Sequence, residues 1–260
     1  MLASLKANRV VELELNQAKG WSGEDVAFLS RLPELRAFEI FDFNIRDVAA
    51  VHALHALRKL GVTTYCSTAL DFSAFPELEH CDLEWRPKAT SIFQCVTLQR
   101  LFVNRYDGDD VRPFGNLVNL RSLAILNAPT RSLEGLGRLA NLRSLRLANL
   151  KKLRSLRGLE DLVGLEELEI HTCRGIDSIE EVGALGHLKK LHLNNDGPIA
   201  SLKPLEKLSG LESVLFYEST NILDGDLSPL LRQKHLSRVS FQNRRHYSHR
   251  REDFGAAYSR

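Results

Sequence analysis

Apolar residues recur along this chain in a fixed phrase: apolar, two variable positions, apolar, one variable position, apolar. The clearest instances are Leu98, Leu101 and Val103; Leu120, Leu123 and Ile125; Leu142, Leu145 and Leu147; Leu165, Leu168 and Ile170; and Leu188, Leu191 and Leu193, at intervals of 22 or 23 residues. Looser matches start at Val10, Leu35, Leu57 and Leu78 on one side and at Leu211 and Leu236 on the other, giving eleven units spaced by 20 to 25 residues. Inside the phrase the fourth and sixth positions are apolar and their neighbours polar, a period of two that puts one face of a short strand inside. After each strand the period changes to three, as in Ile176, Ile179, Val182, Leu185 and Leu188, or Ile199, Leu202, Leu205, Leu208 and Leu211. A spacing of three fits 3₁₀ turns, which set residues i and i+3 above one another.

Each unit is therefore expected to be a strand, a bend and a tight helical return. A fixed period of this length means a stack of similar units rather than a closed globule. One unit cannot hide its own apolar side. Burying a Leu or Ile stabilises by roughly 1.5–3 kcal/mol, while ordering one residue costs on the order of 1–2 kcal/mol, so stability requires many units to cover one another.

The phrase resembles that of the leucine-rich-repeat family, LxxLxLxxN or LxxLxLxxC, and its unit length resembles the short-repeat class of bacterial internalins and of regulatory subunits of a eukaryotic phosphatase. The resemblance implies an α/β fold: a right-handed solenoid with a curved parallel sheet on its concave face and 3₁₀ and short helical turns on its convex face. The whole chain, 1–260, reads as one such domain, with a capping unit over 1–34 and a capping tail over 242–260. Ser22 and the acidic residues after it suggest a short helix reaching about Ser30. The chain departs from the family at the ninth position of the phrase, occupied by Ala128, Leu150, Cys173, Asp196 and Ser219, while Asn stands one place earlier at 127, 149, 195 and 243. Either the bend is shifted, or backbone groups and water satisfy the turn.

Composition narrows function mainly by exclusion. The formal charge of +2 gives no bulk argument for nucleic acid, and no apolar run approaches the ~18 residues of a membrane span. Residues 1–9 have no apolar targeting core. The four cysteines, Cys66, Cys81, Cys95 and Cys173, are widely spaced and read as reduced thiols, in keeping with a cytoplasmic setting. No nucleophile motif, phosphate loop or zinc motif is present, so no enzyme, cofactor or metal is expected. Asp107 to Asp110 and Asp224 to Asp226 lack calcium-loop spacing and read as turns.

The third, fifth and seventh phrase positions face the concave side. Acidic residues Glu12, Glu14, Glu39 and Asp42 lead the row. Phe41, Trp85, Arg100, Phe102 and Arg105 form the expected centre of a protein contact, since aromatic residues and Arg are the types enriched at binding hot spots. Arg146, His171, His192 and Tyr217 extend the candidate surface. The bland alternative is that the rings pack on one another or on flanking loops, and that the histidines are solvated surface polarity. Leucine-rich repeats host unrelated roles. The expected role is a monomeric, non-enzymatic module for another protein, acting as an intracellular regulator or immunity-type inhibitor if the chain is bacterial. Phosphate or nucleic-acid binding by the basic segment Arg244 to Arg251, and an effector with an unrecognised activity, are the alternatives.

Overall fold

A computed structural model describes residues 9–254. The chain forms two compact units, Met1–Arg105 and Tyr106–Arg260. The first holds five parallel strands in chain order: β1 (Glu12–Asn16), β2 (Ala37–Phe41), β3 (Lys59–Thr63), β4 (His80–Glu84) and β5 (Arg100–Asn104). The second holds β6 (Ser122–Leu126), β7 (Ser144–Ala148), β8 (Glu167–His171), β9 (Lys190–Asn194), β11 (Ser213–Tyr217) and β13 (Arg238–Phe241), again parallel and in chain order. Each strand runs from the third to the seventh position of the phrase, except β13, which ends at the sixth, and like positions pair with like, as in Leu145 with Leu168 and Leu168 with Leu191.

The fourth and sixth positions are buried as the alternation requires, with Leu123, Ile125, Leu145, Leu147, Leu168 and Ile170 all fully or almost fully covered. Most returns among the described residues are 3₁₀ turns at the expected period, for example Ala49–Ala53 between β2 and β3 and Glu180–Ala184 between β8 and β9. Their buried residues are the three-spaced ones: Val48, Val51, Leu54 and Leu57 in the first unit, Ile179, Val182, Leu185 and Leu188 in the second. Between β7 and β8 the period runs unbroken through Leu150, Leu153, Leu156, Leu159, Leu162 and Leu165, none more than 2% exposed. Gly158 lies inside that run at φ +96°, where a Cβ would stand 2.5 Å from the Leu133 carbonyl oxygen, so only glycine lets these coils approach so closely.

Two details depart from the sequence expectation. The helix expected from Ser22 is instead a 3₁₀ turn over Ala27–Arg31, begun by Asp25, whose carboxylate accepts the Ala27 N–H at 2.9 Å. The three-residue spacing of Val26, Leu29, Leu32 and Leu35, all buried, selects the tighter turn. A second, two-stranded parallel sheet pairs β10 (Pro198–Ile199) with β12 (Asn221–Ile222), too short to leave a periodic signal. Among the described residues one return is a short α-helical turn, α1 (Ser228–Leu231), in keeping with the short helical turns expected on the convex side.

The bend after the strand is explained by backbone conformation. Arg105, Asn127, Asn149, Thr172, Asn195 and Glu218, all eighth in the phrase, are left-handed with φ between 54° and 59°. Asn tolerates that region better than most residues, which accounts for its appearance one place early. The N–H of each of Asn127, Asn149, Thr172 and Asn195 donates to the last strand carbonyl of the next unit, at 2.8 to 3.2 Å. Their side chains continue the ladder outside: Asn149 donates to Asn127, Asn195 to Thr172, and Ser219 to Asn195. The ninth position turns inward at Ala128, Leu150, Cys173 and Asp196, which are buried, whereas Ser219 stays exposed.

At the C-terminal end of the second unit, Tyr247 Oη accepts the Ile222 N–H at 3.1 Å and His246 Nε2 lies 2.9 Å from the Ile222 carbonyl oxygen. Phe254 packs edge-on against Phe241 at 5.8 Å. Arg244, in the basic segment, donates to the Glu218 and Thr220 carbonyls. Residues 1–8 and 255–260, which include most of the targeting reading and the end of the expected tail, lie outside the described residues.

Candidate functional site: the exposed face of the strands

The outward positions of β1 to β5 form three rows in the first unit. The middle row is Glu14, Glu39, Gly61, Asp82 and Phe102, each opposite the next. Lys59 and Arg100, one row earlier, reach Glu39 and Asp82, the latter pair at 3.7 Å. A depression of about 190 Å³ opens here, lined by Glu14, Asn16, Glu39, Phe41, Gly61, Thr63 and Asp82. Burial raises the Asp82 carboxyl above its ordinary value, Arg100 pulls it back, and the negative charge of Glu39 pushes it up again.

Phe41 ends β2 with 43% of its surface exposed. It meets Phe43 edge-on at 4.9 Å, and Phe43 meets Tyr65 at 4.5 Å. The Arg105 guanidinium stands 5.2 Å from the centre of the Tyr65 ring, with its Nε 3.2 Å from Glu84. Phe41 and Arg105 thus join one exposed aromatic row, through two residues the sequence reading passed over. Phe43 and Tyr65 occupy the ninth position, which is buried in the second unit at Ala128, Leu150, Cys173 and Asp196. Here the preceding residues, Asp42 and Thr64, take the inward place at 2% and 1% exposure, and the rings are left outside. The signal was the aromatic pair itself at a position reserved for Asn or Cys. Asp42 is accordingly a buried turn residue, its carboxylate accepting the Asn44 N–H at 2.8 Å, and not part of the acidic face.

Trp85 follows β4, half-buried, with its ring 5.8 Å from Phe93. That contact is of the loop-packing kind. Phe102 is half-buried on β5, while Arg100 is exposed. Beneath the face, the buried Arg86 guanidinium donates to the Val62 and Thr64 carbonyls and approaches Cys66 Sγ at 3.7 Å. Burial pushes the Cys66 thiol up, but hydrogen bonds from Thr64 and Thr68 and the Arg86 charge outweigh it and leave the thiol below its ordinary value.

In the second unit Glu169 is the hub of the outward row. Arg146 Nε is 3.6 Å away on β7, His171 Nε2 is 3.3 Å away, and His192 Nδ1 is 3.7 Å away on β9. His192 Nε2 lies 3.2 Å from Ser213 Oγ, and Asn194 lies 3.3 Å from His171 Nδ1. Burial lowers His192 below its ordinary value, which Glu169 only partly opposes. This favours a neutral imidazole, a donor–acceptor suited to polar recognition. Among the described residues no cluster of three metal-ligating side chains exists. Tyr217 is half-buried at the end of β11, and its carbonyl accepts from Asn195 and Thr220.

No helix among the described residues is long and apolar enough to cross a membrane. The sequence matches no family model and no curated protein. Solved structures do resemble it. An internalin (inlF) from Listeria monocytogenes is similar at a TM-score of 0.56 and 20% identity, over 85% of this chain and 78% of its own. The functional domain of InlJ from the same organism, described as including a cysteine ladder, gives 0.64 and 20%, over 85% of this chain and 48% of its own. A leucine-rich-repeat protein of Leptospira interrogans gives 0.64 and 15%, over 90% and 66%. At such identities the likeness is one of fold. Parallel one-phrase strands, 3₁₀ returns and these neighbours together make the chain a leucine-rich-repeat solenoid, similar in architecture to the internalins.

Proposed function

We propose that this protein is a non-enzymatic protein–protein interaction module that binds its partner through the exposed face of its strands, as a regulator or inhibitor of another protein in the cytoplasm. The observation that carries this reading is the row Phe41, Phe43 and Tyr65, exposed by 43%, 36% and 60%. Exposed neighbouring rings lose solvation free energy that a partner recovers on covering them. The surrounding ion pairs and the Arg105 guanidinium supply a polar rim of the kind that surrounds an interface core. Arg146, His171, His192 and Tyr217 offer the second unit's contribution to the same role.

Affinity capture from the native host with the intact chain as bait identifies the partner. The affinity of that partner is then measured for the wild type and for the double variant Phe41→Ala/Tyr65→Ala. Loss of at least about tenfold, the scale of a hot-spot truncation, is expected. Unchanged affinity in a folded double variant removes the reading.

A further inference from the structure

On the strands of the second unit and at their starts, cations are matched by carboxylates: Arg146 by Glu169, Arg143 and Lys189 by Glu166, and Lys190 by Glu167. The bends that follow β6, β7 and β8 differ. Arg131, Lys151, Lys152, Arg154 and Arg174 emerge there from three consecutive coils, all of them exposed, and none forms an ion pair among the described residues. The coils lie side by side, with the Arg154 N–H donating to the Arg131 carbonyl at 3.3 Å. A spacing of about 4.8 Å between neighbours puts the outer two coils roughly 10 Å apart.

Two of these guanidiniums are held in place without being neutralised. Arg154 Nη1 donates to the Lys151 and Leu153 carbonyls at 3.0 and 3.2 Å. It lies over Gly175, where a Cβ would collide with it, so the next coil leaves out a side chain where the guanidinium rests. Its Nε and Nη2 have no partner among the described residues. Arg174 Nη2 donates to Asn195 Oδ1 at 2.9 Å, again a neutral acceptor. A guanidinium already fixed loses little freedom on binding, and its open edge matches the two oxygens of a carboxylate. The basic island is also short. Asp107 and Asp109, at the start of the second unit, are exposed in the coil before that of Arg131, and Asp177 follows Arg154 by one repeat. A long polyanion would meet these carboxylates and be repelled. An apolar segment would strip water from the cations without replacing it. A short run of carboxylates fits between the flanking acids.

We propose that this edge of the second unit, from Arg131 to Arg174, docks a short acidic segment of the protein partner, with Asp or Glu carboxylates on the open edge of Arg154 and beside Arg174. The proposal rests on the reading of the chain as a protein-binding module, though not on the exposed rings of the first unit, and it adds a second contact of stated chemistry. Lys151 and Lys152 supply further positive charge along the same segment.

The test is fluorescence anisotropy of a fluorescein-labelled octapeptide of alternating Asp and Glu, titrated with the intact chain at low salt. Binding that weakens as salt is added is expected. Arg154→Glu/Arg174→Glu should weaken it about tenfold or more. Lys151→Glu/Lys152→Glu leaves the hydrogen bonds of both guanidiniums in place and should weaken it severalfold, so a folding defect in the arginine variant leaves the lysine variant decisive. Lys203→Glu/Lys207→Glu makes the same change of charge at exposed positions on the return before β11 and should bind within about twofold of the wild type. The proposal is overturned if the peptide does not bind, or if the edge variants lose no more affinity than Lys203→Glu/Lys207→Glu does. It is also overturned if a single strand of about twenty nucleotides binds more tightly than the peptide, which would assign the edge to nucleic acid. The strand-face reading is read separately, from the affinity of the captured partner for Phe41→Ala/Tyr65→Ala, so each can fail without the other.

Discussion

Two residues sit where their neighbours in other units would be more comfortable. Thr172 is β-branched yet held at φ 57°, in a position where the units before and after it carry Asn149 and Asn195. A β-branched residue in that region is strained by roughly 1–2 kcal/mol. Thr172→Asn should therefore stabilise the protein by about 0.5–1 kcal/mol in chemical denaturation, while keeping a side-chain acceptor for the Asn195 amide. Asp196 is 1% exposed; its Oδ1 accepts the Cys173 N–H at 2.8 Å, and its Oδ2 has no hydrogen-bond partner among the described residues. Burial raises its carboxyl from 3.8 to about 7, against the lowering effect of the Cys173 and Asn194 amides. Between those two values the folded chain holds a proton that the unfolded chain has released. Its contribution to stability is thus fully present below about pH 4 and is lost as the pH rises through about 7. Asp196→Asn, which restores the family's residue, should gain on the order of 2 kcal/mol at pH 8 and lose the decline between pH 4 and 7 attributable to this group. Thermal denaturation of both proteins across that range checks this, and parallel pH profiles would refute it.

At the scale of the element, the repeating coil was legible because two periods alternate in one phrase. Period two placed Leu145 and Leu147 inside a strand, and period three placed Val182 and Leu185 inside a return, each without reference to any other unit. The aromatic row was less legible, because it depends on where the bend falls. A shift of one position turns Asp42 and Thr64 inward and leaves Phe43 and Tyr65 outside, and no local propensity reports that shift. Trp85 was ambiguous for a related reason. Its place beside an exposed strand position suggested contact, whereas the neighbouring return brings Phe93 within 5.8 Å of it. The return between β7 and β8 is a sharp test of the stacking account, since its six leucines form no regular helix yet are all buried. Leu159→Ala should cost about 2–5 kcal/mol, as a cavity in a close-packed core does. A loss under about 1 kcal/mol, ordinary for a surface change, would mean that this segment is not a packed coil.

For the whole molecule, stability comes from each repeat covering the apolar flank of the next within its unit, as in other stacked arrays. That arrangement frees the outward side chains of the strands from any structural duty toward the core. The exposed rings at Phe41, Phe43 and Tyr65 and the Glu169 network are the features on which the proposed binding surface rests. Hydroxyl-radical footprinting of the intact chain, with and without its captured partner, tests this most directly because it reports side-chain cover residue by residue. Oxidation should fall severalfold at Phe41, Phe43 and Tyr65 in the complex and stay unchanged at Val118 and Val163, which are exposed by 41% and 59% away from the strands. Protection at the two valines, with the three rings as reactive as in the free protein, would contradict the account.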